Sequence, residues 1–480
     1  LSDPGINTDF QDLSLNAGFI QDYGFSVKGG GENSSYYFSA NYYDEEGIVI
    51  SSDFERINSR LNSRFNFGKF KVEQSLTFNQ NTLDRNPFFG NSIFEPPVVR
   101  ASAPENEGGF EAINSNNFFG SGGTNNFALA QLVDDETVLR NVLGNFNISY
   151  EIVEGLTAAL NFGVDYRNEY TNTFRPTFFL SPTDQQDNDN PLNDLTEVRG
   201  EIFSTNIEPT INYKNKFGKH DIDVLLGAAR QQIDDNTLAV NVEGLPSNSI
   251  TNVASFADLV LNTGGGRFLS RLFSGFGRLY YKYDDKYLFS AIVRRDASSR
   301  FSSVDDRNVG VFASFSGGWV ISNEDWWPED SLFNTLKLRA GYGELGSQNI
   351  GDFLFQPVLE GNSGIAINNN FLNGFAVVNG VDTNISFETA TSTSIGVDAS
   401  LLNNSITFSA DYFIRENNDV LAPVSQPGSL GIAGTITQNA ASIRNTGFEF
   451  QANYSSYNDG DFNFDVGLTF AAINNELTDL

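Results

Sequence analysis

Chemistry needs side chains that carry protons, electron pairs or metal ions, and this sequence supplies few of them. His220 is the only histidine and cysteine is absent. That removes Ser/His/Asp and Cys/His nucleophilic catalysis, and with them multi-His and Cys-based metal sites. His220 stands in "NKFGKHD" beside Lys219, where a solvated turn residue is expected. The adjacent carboxylates Asp134/Asp135, Asp234/Asp235 and Asp305/Asp306 fall in loops or at strand ends and read as solvated charge. "DQQDNDNPLND" (184–194) has an oxygen-rich spacing that could hold Ca²⁺, but it lacks the glycine and terminal glutamate of an EF-hand. "KGGGEN" and "NTGGGRF" are followed by neither Lys-Ser/Thr nor a helix, so their glycines belong to turns rather than phosphate loops. No catalytic, cofactor-binding or metal-binding residue is expected, and no enzymatic activity.

Composition narrows the partners. Acidic residues outnumber basic ones 60 to 29, giving a net charge of −31. Nucleic-acid binding needs a basic footprint, so that class is excluded. The same charge disfavours strongly anionic cargo. Methionine is absent and the sequence opens on Leu1, so the expectation is an internal fragment, for which a missing signal peptide says nothing about compartment.

The elements that would carry side chains are strands. Mean hydropathy is −0.27, and no stretch approaches the ~20 continuous apolar residues of a spanning helix. Alternation takes its place. "SITFSADYFIRE" puts Ile406, Phe408, Ala410, Tyr412 and Ile414 on one face against Thr407, Ser409, Asp411 and Arg415 on the other. "LKLRAGYG", "GLTAALNFGVDYR", "FNFDVGLTF" and "SIRNTGFEFQANYSS" behave the same way. About sixteen such segments occur, most near the ~9–11 residues of a tilted membrane-crossing strand.

Connections alternate in length. "NFGKF", "EIVEG", "NKFGKH", "YDDKY", "LLNNS" and "SSYNDGD" are tight, with "NEDWWPED" the one longer member on that side. Between them lie polar excursions over 84–135, 168–196, 232–265, 344–386 and 417–442, plus the shorter "DEEGIVISSD" and "DASSRFSSVDDRN". A meander with one short and one long side is the layout of an outer-membrane barrel, short turns periplasmic and long loops extracellular. The predicted fold is therefore all-β, an antiparallel up-and-down transmembrane β-barrel whose apolar faces meet outer-membrane lipid. Tyr280, Tyr281, Tyr283 and Tyr287 beside "YDDKY", with Trp326 and Trp327, fit an interfacial girdle. The opposite faces line a lumen. There Arg294, Arg339, Arg415, Asp398, Asp411 and Glu449 could touch a solute or a plug within the lumen, or form a general polar lining paired with such a plug or among themselves.

Several stretches resemble the SusC/RagA family of TonB-dependent outer-membrane transporters. The most specific is "FGRLYYKYDDKYLFSAIVRRDASSRFS", continuing into "VGVFASFSGGWVISNEDWW" and "LKLRAGYGELGSQNIGDF". "GFSVKGGGENSSYYFSANYYDEEGIVISSDFERINSRLN", "NNFALAQLVDDETVLRNVLGNFNISYEIVEGLTAALNFGVDY" and "ETATSTSIGVDASLLNNSITFSADYFIRENNDVL" also match its pattern, so the resemblance spans nearly the whole chain. It implies a barrel of about 22 strands with a plugged lumen, of which residues 1–480 would be a partial domain of about sixteen. Signal peptide, N-terminal extension, TonB box, plug and closing strands would lie outside it. The resemblance further implies coupling to TonB–ExbB–ExbD, a SusD-like lipoprotein lid, and import of oligosaccharides or similar oligomers such as peptides. For a glycan cargo, loops 84–135 and 344–386 would be the first places for sugar stacking or lid contact. Two other readings remain: a passive porin or surface adhesin, and a soluble all-β carbohydrate-active enzyme or lectin. The last requires the apolar faces to be sealed beneath a second sheet.

Overall fold

A computed structural model describes residues 5–86, 88–106, 108–113, 125–180, 190, 192–253, 260–360, 365–367, 370–372, 374, 376–377, 380–427, 429, 435–456 and 462–479. Sixteen strands form one sheet in which each is hydrogen-bonded to its neighbours in sequence order. It begins with β1 (Ile20–Gly31), β2 (Ser34–Glu46), β3 (Asp53–Phe67), β4 (Phe70–Asp84), β5 (Asp134–Val153) and β6 (Leu156–Arg175). Then come β7 (Asp194–Phe217), β8 (His220–Glu243) and β9 (Val260–Tyr283), each of 24 residues. β10 (Tyr287–Ser298), β11 (Val309–Val320) and β12 (Phe333–Ser347) follow. β13 (Glu388–Leu401), β14 (Ile406–Ser425), β15 (Thr435–Ser455) and β16 (Asp465–Asp479) complete it. Three short helices lie outside the sheet: α1 (Phe10–Ser14), α2 (Phe89–Ser92) and α3 (Asn126–Leu132).

Strand number and the alternation of connection lengths match the sequence reading. The boundaries do not, because the strands run several residues further toward the long connections. The excursion expected over 232–265 shrinks to 244–259, since β8 continues to Glu243 and β9 starts at Val260. In those extensions the side chains are mixed and largely polar, as in Asp234-Asp235-Asn236-Thr237, so the apolar/polar period fades while backbone pairing persists. Water can solvate both faces there, and the ladder no longer needs an oily side. An ion pair from Arg267 to Asp234, 2.6 Å, ties two such extensions together.

Two compact units partition the chain. One comprises Leu1–Asn147, Phe162–Thr205 and Ile233–Leu269; the other comprises Ile148–Asn161, Asn206–Gln232 and Ser270–Leu480. In both, the core clusters among the described residues lie beside the long connections. In the first unit α3 buries Ala128 and Leu129 against Ala112, Phe178 and Leu180, while Phe10, Val99, Ile113 and Phe127 form an adjoining cluster. Asn125 caps α3 by accepting from the Ala128 amide at 2.8 Å. In the second unit Phe301, Phe312, Ile385 and Phe387 pack together.

Along the strands the apolar rows stay uncovered. Leu338 is 43% exposed, Phe448 41% and Ile395 62%, and Phe408 and Phe450 are half-buried, their rings 6.3 Å apart on neighbouring strands. Register keeps these rows on one side: Phe315 faces Tyr342, Trp319 faces Leu338, and Tyr412 faces Phe448. No second sheet covers them among the described residues, which removes the lectin-like reading. Rows of exposed rings at this density would aggregate in water, whereas hydrocarbon accepts them. Phe448→Arg is accordingly expected to cost about 2–4 kcal/mol in unfolding from lipid bilayers. Gln451→Arg, on the opposite face of the same strand, should stay within about 0.5 kcal/mol.

Candidate functional site

The polar face of the second unit brings together some of the charged residues singled out from the sequence and separates others. Arg339 on β12, Asp398 on β13 and Asp411 on β14 form one cluster. The Arg339 guanidinium donates through Nε to both Asp398 oxygens at 3.1 and 3.2 Å, and through Nη2 to Asp411 Oδ2 at 2.6 Å. To reach Asp411 it crosses the whole of β13, and it does so over Gly396. In the ladder, Arg339 faces Gly396, Gly396 faces Asp411, and Asp411 faces Glu449. A β-carbon on Gly396 would collide with Asp411 Oδ1 and stand 3.0 Å from the guanidinium carbon. The glycine is therefore a notch through which the ion pair passes. Asp411 and Glu449 are like charges directly opposite each other, an arrangement that destabilises a sheet unless a cation offsets it. Arg339 supplies that cation, and Glu449 remains exposed.

The other two arginines stand apart. Arg415 lies over the Phe413 ring at 4.5 Å, and that ring occupies the space left by Gly447 on β15. Arg294 is held by Asp296 at 2.7 Å, by Ser274 Oγ at 2.7 Å, and near the Phe276 ring at 5.7 Å. The six residues thus form a paired lining with one three-residue cluster rather than a single constellation. The glycine notches escaped the sequence reading. Their signal was present as glycines at polar-face positions of otherwise regular alternation, as in "SIGVDAS".

At the tight-turn end an aromatic belt contains Tyr283 and Tyr287 of the expected girdle, whereas Trp326 and Trp327 pack on each other with ring centres 6.1 Å apart. Phe217, His220, Tyr283, Tyr287 and Trp319 succeed one another across β7 to β11, with successive ring centres 4.9 to 6.5 Å apart. His220 is thus a member of the belt rather than a solvated turn residue, and its Nδ1 lies 2.8 Å from the Tyr281 hydroxyl. Tyr280 points to the polar face, with the Arg278 guanidinium 4.6 Å from its ring centre. The polar ends of the belt are tied down. Tyr287 Oη donates to Glu324 Oε1 at 2.6 Å and Trp319 Nε1 donates to the same oxygen at 2.9 Å.

Beside them Lys286 is buried and faces Asp325 at 2.8 Å, Glu324 at 3.5 Å and Asp284 at 3.7 Å. Asp284 also pairs with Lys219 at 2.6 Å. Backbone bonds stitch the same turns: Asp284 N to Lys219 O at 2.7 Å, Val320 N to Lys286 O at 2.7 Å and Lys214 N to Gly155 O at 2.8 Å. The hydrogen bonds from Tyr287 and Trp319 hold the Glu324 carboxyl below the ordinary glutamate range. Lys286 does the same for Asp325.

On the long-connection side, the stretches that carry the family resemblance meet each other. Arg300 of "RRDASSRFS" bonds Asp352 at 3.0 Å and the Gln348 carbonyl at 3.1 Å, both in "LGSQNIGDF". Phe301 packs on Phe387 with ring centres 4.6 Å apart. "DQQDNDNPLND" lies largely outside the described residues.

An up-and-down sheet with exposed apolar rows, an ion-paired polar face and an aromatic belt defines an outer-membrane β-barrel. The family model described as "TonB dependent receptor-like, beta-barrel" matches residues 77–479. TonB-dependent receptor P26 of Formosa agariphila is 29% identical over 490 residues, covering 99% of this chain and 47% of that protein. TonB-dependent receptor SusC of Bacteroides thetaiotaomicron is 28% identical over 508 residues, covering 99% and 48%. Among solved structures, the RagAB peptide transporter superposes with a TM-score of 0.79 at 21% identity, covering 99% of this chain and 52% of that one. The ferric citrate transporter FecA gives 0.52 at 10% identity, covering 98% and 58%. The chain belongs to the TonB-dependent receptor β-barrel family, a family of outer-membrane receptors rather than enzymes. It spans about half the length of the curated relatives it matches.

Two outcomes follow from this geometry. Gly396→Ala should destabilise by about 1–3 kcal/mol, the cost of overpacking. Gly341→Ala, where a β-carbon would meet nothing nearer than 3.5 Å, should be near neutral; paired denaturant titrations measure the contrast. For Glu324 and Asp325 the folded-state values lie below the unfolded ones, so their contribution is complete at neutral pH and is lost as pH falls through the depressed values. Tryptophan fluorescence from Trp319, Trp326 and Trp327 should hold steady from pH 8 to about 5 and shift only below about pH 4.

Proposed function

We propose that residues 1–480 belong to the barrel domain of a longer SusC-like importer that takes up oligosaccharides, or similar oligomers such as peptides, at the expense of TonB-transmitted energy. The observation that carries this reading is the family match over 77–479, on a sheet whose polar face holds ion pairs such as that of Arg339 with Asp398 and Asp411. The work of that face is selection and passage, with arginines and carboxylates at fixed heights presenting a wall to which solutes bind weakly and from which they leave.

The partners follow from the same reading. A SusD-like lipoprotein would close the long-connection side, and TonB–ExbB–ExbD would act through a segment of the longer protein. Support for the lid comes from the likeness to SusC and to the RagAB peptide transporter. Loops 84–135 and 344–386 are the proposed contact surface. Their described parts offer exposed Phe94, Phe353 and Val358 on scaffolds held by buried clusters beneath.

Uptake of fluorescent oligosaccharides and peptides by cells expressing the full-length protein tests the reading. Accumulation should depend on the protein and collapse when a protonophore removes the proton-motive force. Accumulation that survives the protonophore would assign a passive pore instead.

A further inference from the structure

In the second unit, the outward face of the sheet changes character toward the long connections. Register fixes which side chains share that face. On β10 Ala291 stands opposite Phe315, a member of an exposed apolar row, and Arg295 stands opposite Val311 of the same row. On its other side Arg295 faces Gly275 of β9, so Phe273 and Arg271, at successive alternate positions, look outward too. An arginine in a lipid-facing row is costly at the bilayer midplane and nearly free at an interface. The strand from Tyr287 of the belt to Arg295 is about 27 Å long, comparable with the ~25 Å apolar band of an outer-membrane barrel. Arg295 therefore marks the far interface. Arg271 lies beyond it, at headgroup level in the extracellular leaflet.

Arg271 does not stand alone there. Its Nε donates to Gln232 Oε1 of β8 at 3.2 Å, and Arg230 Nη2 donates to the same oxygen at 3.1 Å. Two exposed guanidiniums thus converge on one neutral amide. In a chain with 60 acids to 29 bases, neither has an ion-pair partner among the described residues, nor does Arg295. Asp234, the next carboxylate along β8, is held through both oxygens by Arg267, at 2.8 and 2.6 Å. Most N–H donors of the arginine pair are unused, and the repulsion between its two charges has nothing to offset it. Beside the pair Gly275 leaves open space, a β-carbon there meeting nothing within 4 Å. Exposed Phe273, Val293 and Val311 continue from it toward the hydrocarbon.

We propose that Arg230 and Arg271 form a phosphate-binding site for an anionic lipid of the extracellular leaflet. The phosphate bridges the two guanidiniums, and the acyl chains lie along Phe273, Val293 and Val311. A phosphate monoester matches the planar forks of two arginines, and the adjoining apolar row supplies a contact that a soluble anion has no means to use. Charge complementarity and continuity with the lipid-covered face both point to this occupant. The inference goes beyond the importer reading and does not depend on it, because the site lies on the side of the wall away from the lumen.

Full-length protein in neutral detergent is titrated with dioleoyl phosphatidic acid or dioleoyl phosphatidylcholine, and bound lipid is counted by native mass spectrometry. Wild type should hold one phosphatidic acid about tenfold or more tightly than phosphatidylcholine, and less tightly as ammonium acetate is raised. Arg230→Gln/Arg271→Gln should lose that preference, whereas Arg64→Gln, at an exposed arginine already paired with Glu73, should keep it. Gln232→Glu is the sharpest variant. It sets a carboxylate of the same shape between the guanidiniums, so it should abolish the preference while melting no lower than wild type, which separates occupancy of the site from a folding defect. Inorganic phosphate should displace phosphatidic acid no more readily than chloride of the same ionic strength; a phosphate-specific displacement would assign a soluble anion and overturn the lipid assignment. Equal affinity for the two lipids in wild type, or a preference that survives in Gln232→Glu, overturns the site itself.

Discussion

The constraint on which this structure depends is that hydrocarbon offers no hydrogen-bond partner to a peptide group. Once a chain commits its apolar side chains to lipid, each strand must find its backbone partners in another strand. Sixteen strands paired one after the next are the result. Everything else adjusts to that arrangement. Side chains alternate because the pleat alternates, tight turns are short because neighbouring strands lie close, and conventional cores are displaced to the long connections.

Because the two faces of such a sheet meet different media, they are stabilised differently. The apolar rows need no mutual fit, only an oily surface, and their rings are correspondingly exposed. On the polar face, charges share the sheet with close neighbours and have to be offset locally. Arg339 answers two carboxylates at once, and the glycine beneath it lets one side chain serve three strands. At the tight-turn rim Glu324 plays the converse part, receiving Tyr287 and Trp319 on one oxygen while its other oxygen faces Lys286.

The strand count, the two-sided sorting of connections and the facing of Phe448, Leu338 and Tyr412 were legible in the sequence because period two is a direct imprint of the pleat. Strand ends toward the long connections were not, since around Asp234 and Thr237 both faces meet water and the imprint fades. Tyr280 was misplaced for a related reason: in "RLYYKYDDKY" aromatic residues occupy both parities, and register shows that Tyr283 joins Tyr287 in the belt while Tyr280 faces Ser290 on the polar side. Of the six charged residues proposed from the sequence, parity correctly put all on the polar face. Grouping Arg339 with Asp398 and Asp411, and leaving Arg294 with Asp296, required knowing which strands adjoin and where a missing β-carbon lets a side chain cross.

The contact between "RRDASSRFS" and "LGSQNIGDF" bears on what kinship can teach about cargo. The stretches by which this chain is most readily recognised grip each other through Arg300 and Asp352, while Phe301 packs on Phe387, just before the strand that begins at Glu388. Such a clasp braces the rim against which any visitor must press, and it is indifferent to who the visitor is. Two siblings wearing the same clasp can therefore feed on different diets, and the badge of membership says nothing about appetite.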